Sequence, residues 1–292
     1  MQNQKIVLKE IINKEDFEDI KKLEKYCVDQ DNISFKLELE YKFNHSKQTS
    51  NSLVNINEFM FYKDDLLIGY IGIGDFGGDA LEVNGMVHPD YRHKGIFTRL
   101  YSLVIDEWKK RKQKEILLLS DNKSAAGLQF INKVCDTYDH SEYDMVLNME
   151  SIPSQKQKNV TLRKGMLAES AKIAKMDSVF FDMEVKEDDE FIIENIENQT
   201  TFIAKTNDEE VGKVRLELTD GVGGIYGLGI MPYFRGKGYG RELLLNSVLK
   251  LIEMGAEKIV LQVETNNKNA LNLYKSCGFI ENYRMDYYKL SK

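Results

Sequence analysis

Arg235, Gly238 and Gly240, within LGIMPYFRGKGYGREL (Leu228–Leu243), have the types and spacing of an anion-binding turn. An apolar strand ends at Pro232, a short loop carries Arg235, and a helix opens at Gly238-Tyr239-Gly240. Glycines at a helix start let the backbone approach a ligand closely. The free N–H groups and the positive dipole end there suit a phosphate or pyrophosphate. The dipole supplies about 0.3–1 kcal/mol, whereas each N–H bond to a charged group is worth on the order of 1.5–3 kcal/mol, so the hydrogen bonds dominate. Arg235 and Arg241 offer further charge. The same glycines also suit a plain strand-to-helix turn, and a lone Gly-x-Gly does not separate the two readings. GIGDFG (Gly72–Gly77) matches a dinucleotide-binding run literally, but a turn and another strand follow it instead of a helix, so it is rejected. A second cluster, VETNNKNALNLYKSCGF (Val263–Phe279), sets asparagines at a helix start and Tyr274 on that helix.

The elements that must hold these groups recur along the chain. At a constant offset of 143 residues, Pro89, Arg92, Lys94, Gly95 and Leu100 fall on Pro232, Arg235, Lys237, Gly238 and Leu243. Ile116 falls on Ile259 at the same offset, inside the similar runs EILLLS and KIVLQV. This is the signature of a duplicated domain. Pro153 lies in the polar stretch Ser151–Asn159, read as a linker between an N-terminal domain (1–150) and a C-terminal domain (160–292). Each half reads strand, helix, two strands about a turn, a third strand, a helix, a strand, a short helix and a last strand. Asn13, with Asp16 three residues on, opens the first helix, whose apolar stripe is Phe17, Ile20, Leu23 and Cys27. The expected class is α/β, with a mixed (α+β) sheet that the tight hairpins make partly antiparallel.

Composition narrows the function. Of 292 residues 42% are hydrophobic, enough for buried cores, and the net charge of −7 argues against a general nucleic-acid binder. No apolar run approaches a membrane span, and the start MQNQKIVLKE lacks the layout of a signal peptide, so a cytoplasmic protein is expected. Three cysteines and four scattered histidines give neither a disulfide framework nor metal-ligand spacing, so no metal site is expected.

Arg-x-x-Gly-x-Gly (Arg235–Gly240), followed by Asn…Ala-Leu-x-Leu-Tyr…Gly-Phe, resembles the GCN5-related N-acetyltransferases (GNAT). The whole chain looks like a tandem member of that superfamily, as in the two-domain layout of mycothiol synthases. The resemblance implies acetyl-CoA in a V-shaped opening between the fourth and fifth strands of a domain. Leu228, Gly229 and Ile230 on the fourth strand would pair with pantetheine through their backbone. Arg235, Gly236, Lys237, Gly238, Tyr239, Gly240 and Arg241 would form the pyrophosphate loop. Asn267 would contact the cofactor, and Tyr274 would be the general acid beside the sulfur. On the residues alone, Asn267 also reads as a helix cap and Tyr274 as a core tyrosine.

The implied chemistry has a proton to remove. An amine of pKa about 10.4 is mostly protonated at pH 7, and freeing it costs roughly 4 kcal/mol. A leaving thiolate near 8.5 lies about 1.5 units below a phenol, which makes Tyr274 chiefly a hydrogen-bond donor. N-terminal acetyltransferases of the family often carry a glutamate five residues before the asparagine matched by Asn267. Here that residue is Gln262, which cannot accept a proton. Glu264, two residues on and on the same face of the strand, is the candidate base, with Tyr226 as another. Glu264 also reads as a solvated strand-end carboxylate.

The N-terminal half has Phe97 where Gly240 stands, Asn122 as the match to Asn267, and Gln129 or Phe130 at the place of Tyr274. It is therefore expected to keep CoA-like binding without the acid. An active N-terminal domain using Glu82 or Glu142 is the alternative. The expected function is an N-acetyltransferase that moves the acetyl group of acetyl-CoA to an amine by direct transfer in a ternary complex, with the chemistry in the C-terminal domain. The rival is a non-catalytic acyl-CoA-binding or regulatory module; a third reading changes the donor to a longer acyl-CoA. The acceptor is a small-molecule or peptide amine. The net charge and the acidic run Glu184–Asn198 favour a cationic one by steering, although such a run also reads as the solvated side of a helix.

Overall fold

The structure is a computed structural model that describes residues 3–44, 55–76, 80–135, 137–153, 159–182, 190–207 and 209–292. The chain forms two compact units, Met1–Ser141 with Tyr283–Lys292, and Glu142–Asn282.

In the first unit the elements run β1 (Gln4–Lys9), α1 (Lys14–Asp31), α2 (Leu39–Asn44), β2 (Glu58–Lys63), β3 (Leu66–Gly74), β4 (Ala80–Val87), α3 (Ile96–Trp108), β5 (Glu115–Asp121) and α4 (Ala125–Val134). Asn13 caps α1 in a capping box with Asp16, and Ile20, Leu23 and Cys27 are buried beneath the helix. The β2–β3 turn puts Asp64 and Asp65 at φ +47 and +65, the left-handed pair that a tight hairpin requires. Phe59, Ile71, Leu100 and Val104 pack in one core cluster, and Met60, Tyr70, Ile20 and Leu23 in another. Adjacent residues along β2 point to opposite faces, so the sheet is covered on both sides.

In the second unit the order is β7 (Val160–Lys164), α5 (Ser170–Phe181), α6 (Glu190–Glu197), β8 (Thr201–Thr206), β9 (Glu209–Thr219), β10 (Val222–Ile230), α7 (Tyr239–Glu253), β11 (Lys258–Glu264) and α8 (Lys268–Ser276). Val214, Leu216, Ile259 and Leu261 pack with Leu243, Val248 and Leu251 of α7. On the other face Ile203 packs with Ile173, Ile192 and Ile196 of α5 and α6.

Two strands depart from the linear division at 151–159. β6 (Tyr138–Leu147) pairs antiparallel with β11 from Glu142 to Val146, inside the second unit. β12 (Phe279–Ser291) pairs antiparallel with β5 from Met285 to Ser291, inside the first. The repeats in sequence and the compact units in space therefore have different ends: residues 142–150 belong to the second unit and residues 283–292 to the first. Of the expected linker, residues 154–158 lie outside the described residues.

Candidate active site

The site in the second unit starts from a strand pair that parts. β10 runs parallel to β11 only from Val222–Ile225 against Lys258–Leu261, while both strands continue beyond, so a wedge opens between Tyr226–Ile230 and Gln262–Glu264. On its other side β10 stays paired with β9, but the register shifts between Tyr226 and Gly229. This bulge is made by Gly227, at φ +54, a conformation that costs a non-glycine residue strain.

Alternation sorts the side chains at the wedge. Ile225, Ile230, Leu261 and Val263 face the α7 core, with Leu228 packed against it. Gln262 and Glu264 therefore point to the opposite face, the one covered by α5 and α6. Glu264 is exposed at the strand end and stands directly across from Glu142 of β6, as Gln262 does from Asp144. Burial holds the Asp144 carboxyl above the usual range, against a hydrogen bond from Asn282. On the same face the Phe180 ring lies so close over Gly229 that no side chain fits there. The Arg215 guanidinium stacks 4.6 Å from the Tyr226 ring.

The loop after β10 has the form expected of an anion site, with its side chains engaged elsewhere. Gly238, at φ +86, is the N-cap of α7, and no side chain caps that helix. Among the described residues a Cβ at Gly236 or Gly238 would meet nothing within 4 Å, so no side chain covers the loop at these positions. Arg235 Nε donates to the Ile230 carbonyl at 2.9 Å and ties the loop to the strand end. Lys237 lies 4.7 Å from the Tyr233 ring. Arg241 donates to the hydroxyl and carbonyl of Ser276 at the end of α8, at 2.6 and 3.1 Å. Tyr239 is half-buried beside Phe234. A Cβ on Gly240 would reach Leu273 of α8 at 3.6 Å, an ordinary contact.

On α8, Asn267 is the N-cap and accepts from the Ala270 amide at 3.1 Å, so its capping role is realised. Tyr274 is 9% exposed, and burial pushes its hydroxyl up to about 12. That widens the gap to a thiolate near 8.5 to about 3.5 units and leaves hydrogen-bond donation as what the phenol can do.

The first unit keeps the wedge and changes its contents. β4 runs parallel to β5 only from Ala80–Val83 against Glu115–Leu118, and both strands continue past. β4 pairs with β3 without a break from Val87 to Glu82, so the bulge is missing. A cavity of about 410 Å³ fills this wedge, lined by Asn84, Met86, Phe97, Leu118 and Phe130 among others. The Phe97 ring packs edge-on against Phe130 at 4.6 Å, in the positions that Gly240 and Leu273 hold in the second unit. Because α4 and α8 match at the same 143-residue offset, Ile131, 4% exposed, is the counterpart of Tyr274, and neither Gln129 nor Phe130 is. The cap Ser124, not Asn122, is the counterpart of Asn267. Asp121 matches Glu264, but it is buried and accepts amide hydrogens from Ser34 and Lys123, at 2.8 Å each. Glu82 is paired with Lys36 at 3.3 Å, and Glu142 belongs to the second unit.

A family model described as Acetyltransferase (GNAT) family matches residues 18–129 and 171–279. The chain belongs to this family. Among GNAT relatives, the chain is 44% identical over 57 residues to a mycothiol acetyltransferase of Propionibacterium freudenreichii, covering 20% of this chain and 18% of that one. It is 40% identical over 62 residues to N-alpha-acetyltransferase MAK3 of Arabidopsis thaliana, covering 21% and 32%. The matched stretches thus span well under half of these relatives. Among solved structures, a GCN5-related N-acetyltransferase from Sphaerobacter thermophilus aligns over 98% of this chain and 95% of its own, with a TM-score of 0.77 and 17% identity. A tandem GNAT protein from the clavulanic acid biosynthesis pathway aligns over 99% and 98%, with a TM-score of 0.72 and 11% identity. The GNAT fold and its duplication, expected from the sequence, are both present. Among the described residues no helix is long and apolar enough to cross a membrane.

Lys213, Asp177 and Phe180, which adjoin the bulge, were not legible as site residues. A lysine between Gly212 and Val214, in an otherwise apolar half-strand, was the one available signal. Of the run Glu184–Asn198, residues 184–189 lie outside the described residues, and the remainder belongs to α6 and the turn after it.

Proposed function

We propose that the chain is an acetyl-CoA-dependent N-acetyltransferase, that the acetyl group passes directly to an amine in a ternary complex, and that this chemistry takes place at the wedge of the second unit. The observation that carries the reading is the bulge at Gly227, which stands in the second unit and is absent from the first. It frees backbone groups of β10 at the mouth of the wedge, where an N–H can polarise a carbonyl.

The residues fit the donor. The uncapped start of α7 and the open space at Gly236 and Gly238 suit a pyrophosphate. Leu228, Gly229 and Ile230 offer strand backbone for pantetheine, and the exposed Asn267 lies at the start of α8. Acetyl-CoA supplies the activated acetyl thioester. Tyr274 gives a hydrogen bond to the sulfur, and its raised pKa keeps the phenol protonated for that purpose. Glu264 and Glu142, facing each other at the rim, favour a cationic acceptor and receive its proton. The proposed acceptor is a small-molecule or peptide amine.

Calorimetry with acetyl-CoA on the full chain, followed by turnover with spermidine, tyramine, lysine and a peptide with a free N-terminus, tests this. One site and turnover of at least one amine are expected. Binding without turnover of any amine would favour the non-catalytic binding module, and two equal sites would return the first unit to consideration as a catalyst.

A further inference from the structure

The gap on the α5/α6 face of the bulge is faced by a cation. Among the described residues, a Cβ built on Gly227 would meet a single atom within 4 Å, the Lys213 ammonium at 3.5 Å. Lys213 lies on β9 across from Gly229 and is 6% exposed. Its Nζ is held by Asp177 of α5 at 2.6 Å. Among the described residues, Arg215 on its own strand is engaged with Glu217 at 2.5 Å and stacks on Tyr226 of β10, and the residue opposite Lys213 on β8 is Ile203. Across the wedge the same face carries Glu264, Glu142 and Asp144.

We infer that Lys213, fixed by Asp177, supplies the positive charge that weakens the acceptor amine's hold on its proton, and so does the work of a buried general base. The inference rests on the reading that acetyl transfer takes place at this wedge. A like charge close to an ammonium disfavours its charged form, and in a shielded site the effect is stronger than in water. Gln262 cannot accept a proton and Asp144 across from it already accepts a hydrogen bond from Asn282, so the acceptor's proton is left to the rim carboxylates Glu264 and Glu142. Asp177, bound to Lys213, keeps the cation in place. Burial lowers the Lys213 ammonium, against the opposing pull of Asp177, which is the cause most responsible for keeping it charged.

The proton balance follows. The acceptor ammonium releases one proton to the rim carboxylates and water before attack. The neutral nitrogen forms the new C–N bond as the C–S bond breaks. The second nitrogen proton leaves with the thiol, so the reaction as a whole yields an amide, CoA as thiol and one proton. Lys213 is unchanged throughout. At this register the first unit has Tyr70, across from Met86, with Lys42 donating to its hydroxyl at 3.4 Å and paired with Glu58, while the bulge and a counterpart of the Tyr274 hydroxyl are absent there.

The test is the pH dependence of kcat, which reports groups in the enzyme–substrate complex, with the fastest amine of the panel above. Removing one member of a buried ion pair strands the other, so the main variant is the neutral pair Asp177→Asn/Lys213→Met, with Lys213→Arg as the charge-keeping control. The rising limb should move up by about one unit or more in the neutral pair, with about a tenfold loss at pH 7, and stay where it is in Lys213→Arg. Acetyl-CoA affinity by calorimetry should be the same in all three. A neutral-pair enzyme with the limb unmoved overturns the inference and leaves the acetyltransferase reading intact. An unaltered chain that binds acetyl-CoA but acetylates no amine removes that reading, and the inference with it.

Discussion

Ile131 stands seven residues after the cap Ser124 on α4, as Tyr274 stands seven residues after the cap Asn267 on α8. Both side chains are buried at the same place in their units, and one of them has a hydroxyl. The two repeats thus share a scaffold down to the helix cap, and they part at the hydroxyl of Tyr274.

Tyr274→Phe should keep acetyl-CoA binding and lower kcat by about tenfold to a hundredfold, the value of one hydrogen bond to a charged group. Steady-state kinetics beside calorimetry measures both. Near-normal turnover would end any essential role for the phenol.

Gly240 has room for a Cβ at ordinary contact distance, so Gly240→Ala should fold and bind. Gly240→Phe copies Phe97 of the first unit, whose ring closes on α4. Acetyl-CoA binding should be lost in that variant with the melting temperature little changed. Retained binding would mean that Phe97 is no obstacle in the first unit either.

Tyr274 also predicts an alkaline effect on stability. Its folded pKa, near 12, lies above the ordinary 10, so between these values the unfolded chain releases a proton that the folded chain keeps. Stability contributed by the neutral phenol is therefore full below pH 10 and falls as pH rises toward 12, by about 3 kcal/mol in all. Urea titrations at pH 9 and 11 should show a smaller loss in Tyr274→Phe than in the unaltered chain, and equal losses would contradict the assignment.

A chain ending at Asn282 keeps the whole second unit and removes Tyr283–Lys292 from the first. Met285 and Tyr287, both almost fully buried, go with it, each worth about 1.5–3 kcal/mol of burial. Hydrogen exchange should show β5 losing protection while β10 and α7 keep theirs. Unchanged protection of β5 would mean that β12 is dispensable.

What the sequence made legible was local or repeated. The Asn13–Asp16 cap, the Asp64–Asp65 turn and the strand–loop–helix at Arg235–Gly240 are each written in adjacent residues, and the 143-residue offset carries from β5/β11 into α4/α8. Matching Asn122 to Asn267 by residue type broke that offset and missed Ser124 and Ile131. The partners of β6 and β12 were hidden for a different reason: a strand's period fixes which face is buried, not which edge it joins. Lys213 was missed because its meaning depends on Gly227 and Asp177, distant in sequence and close in space.

The strand exchange also sets an order of events on the ribosome. The second unit has all its strands once residue 282 has emerged, whereas the first, begun earlier, waits for residues 283–292. At roughly 5–20 residues per second, β5 is left without β12 for about 10–30 seconds after its own synthesis. During that time the run Ile116–Leu119 presents an apolar, unpaired edge. The half of the molecule that is made first is thus the last to close, and its β5 edge is the place where a chaperone has most to protect.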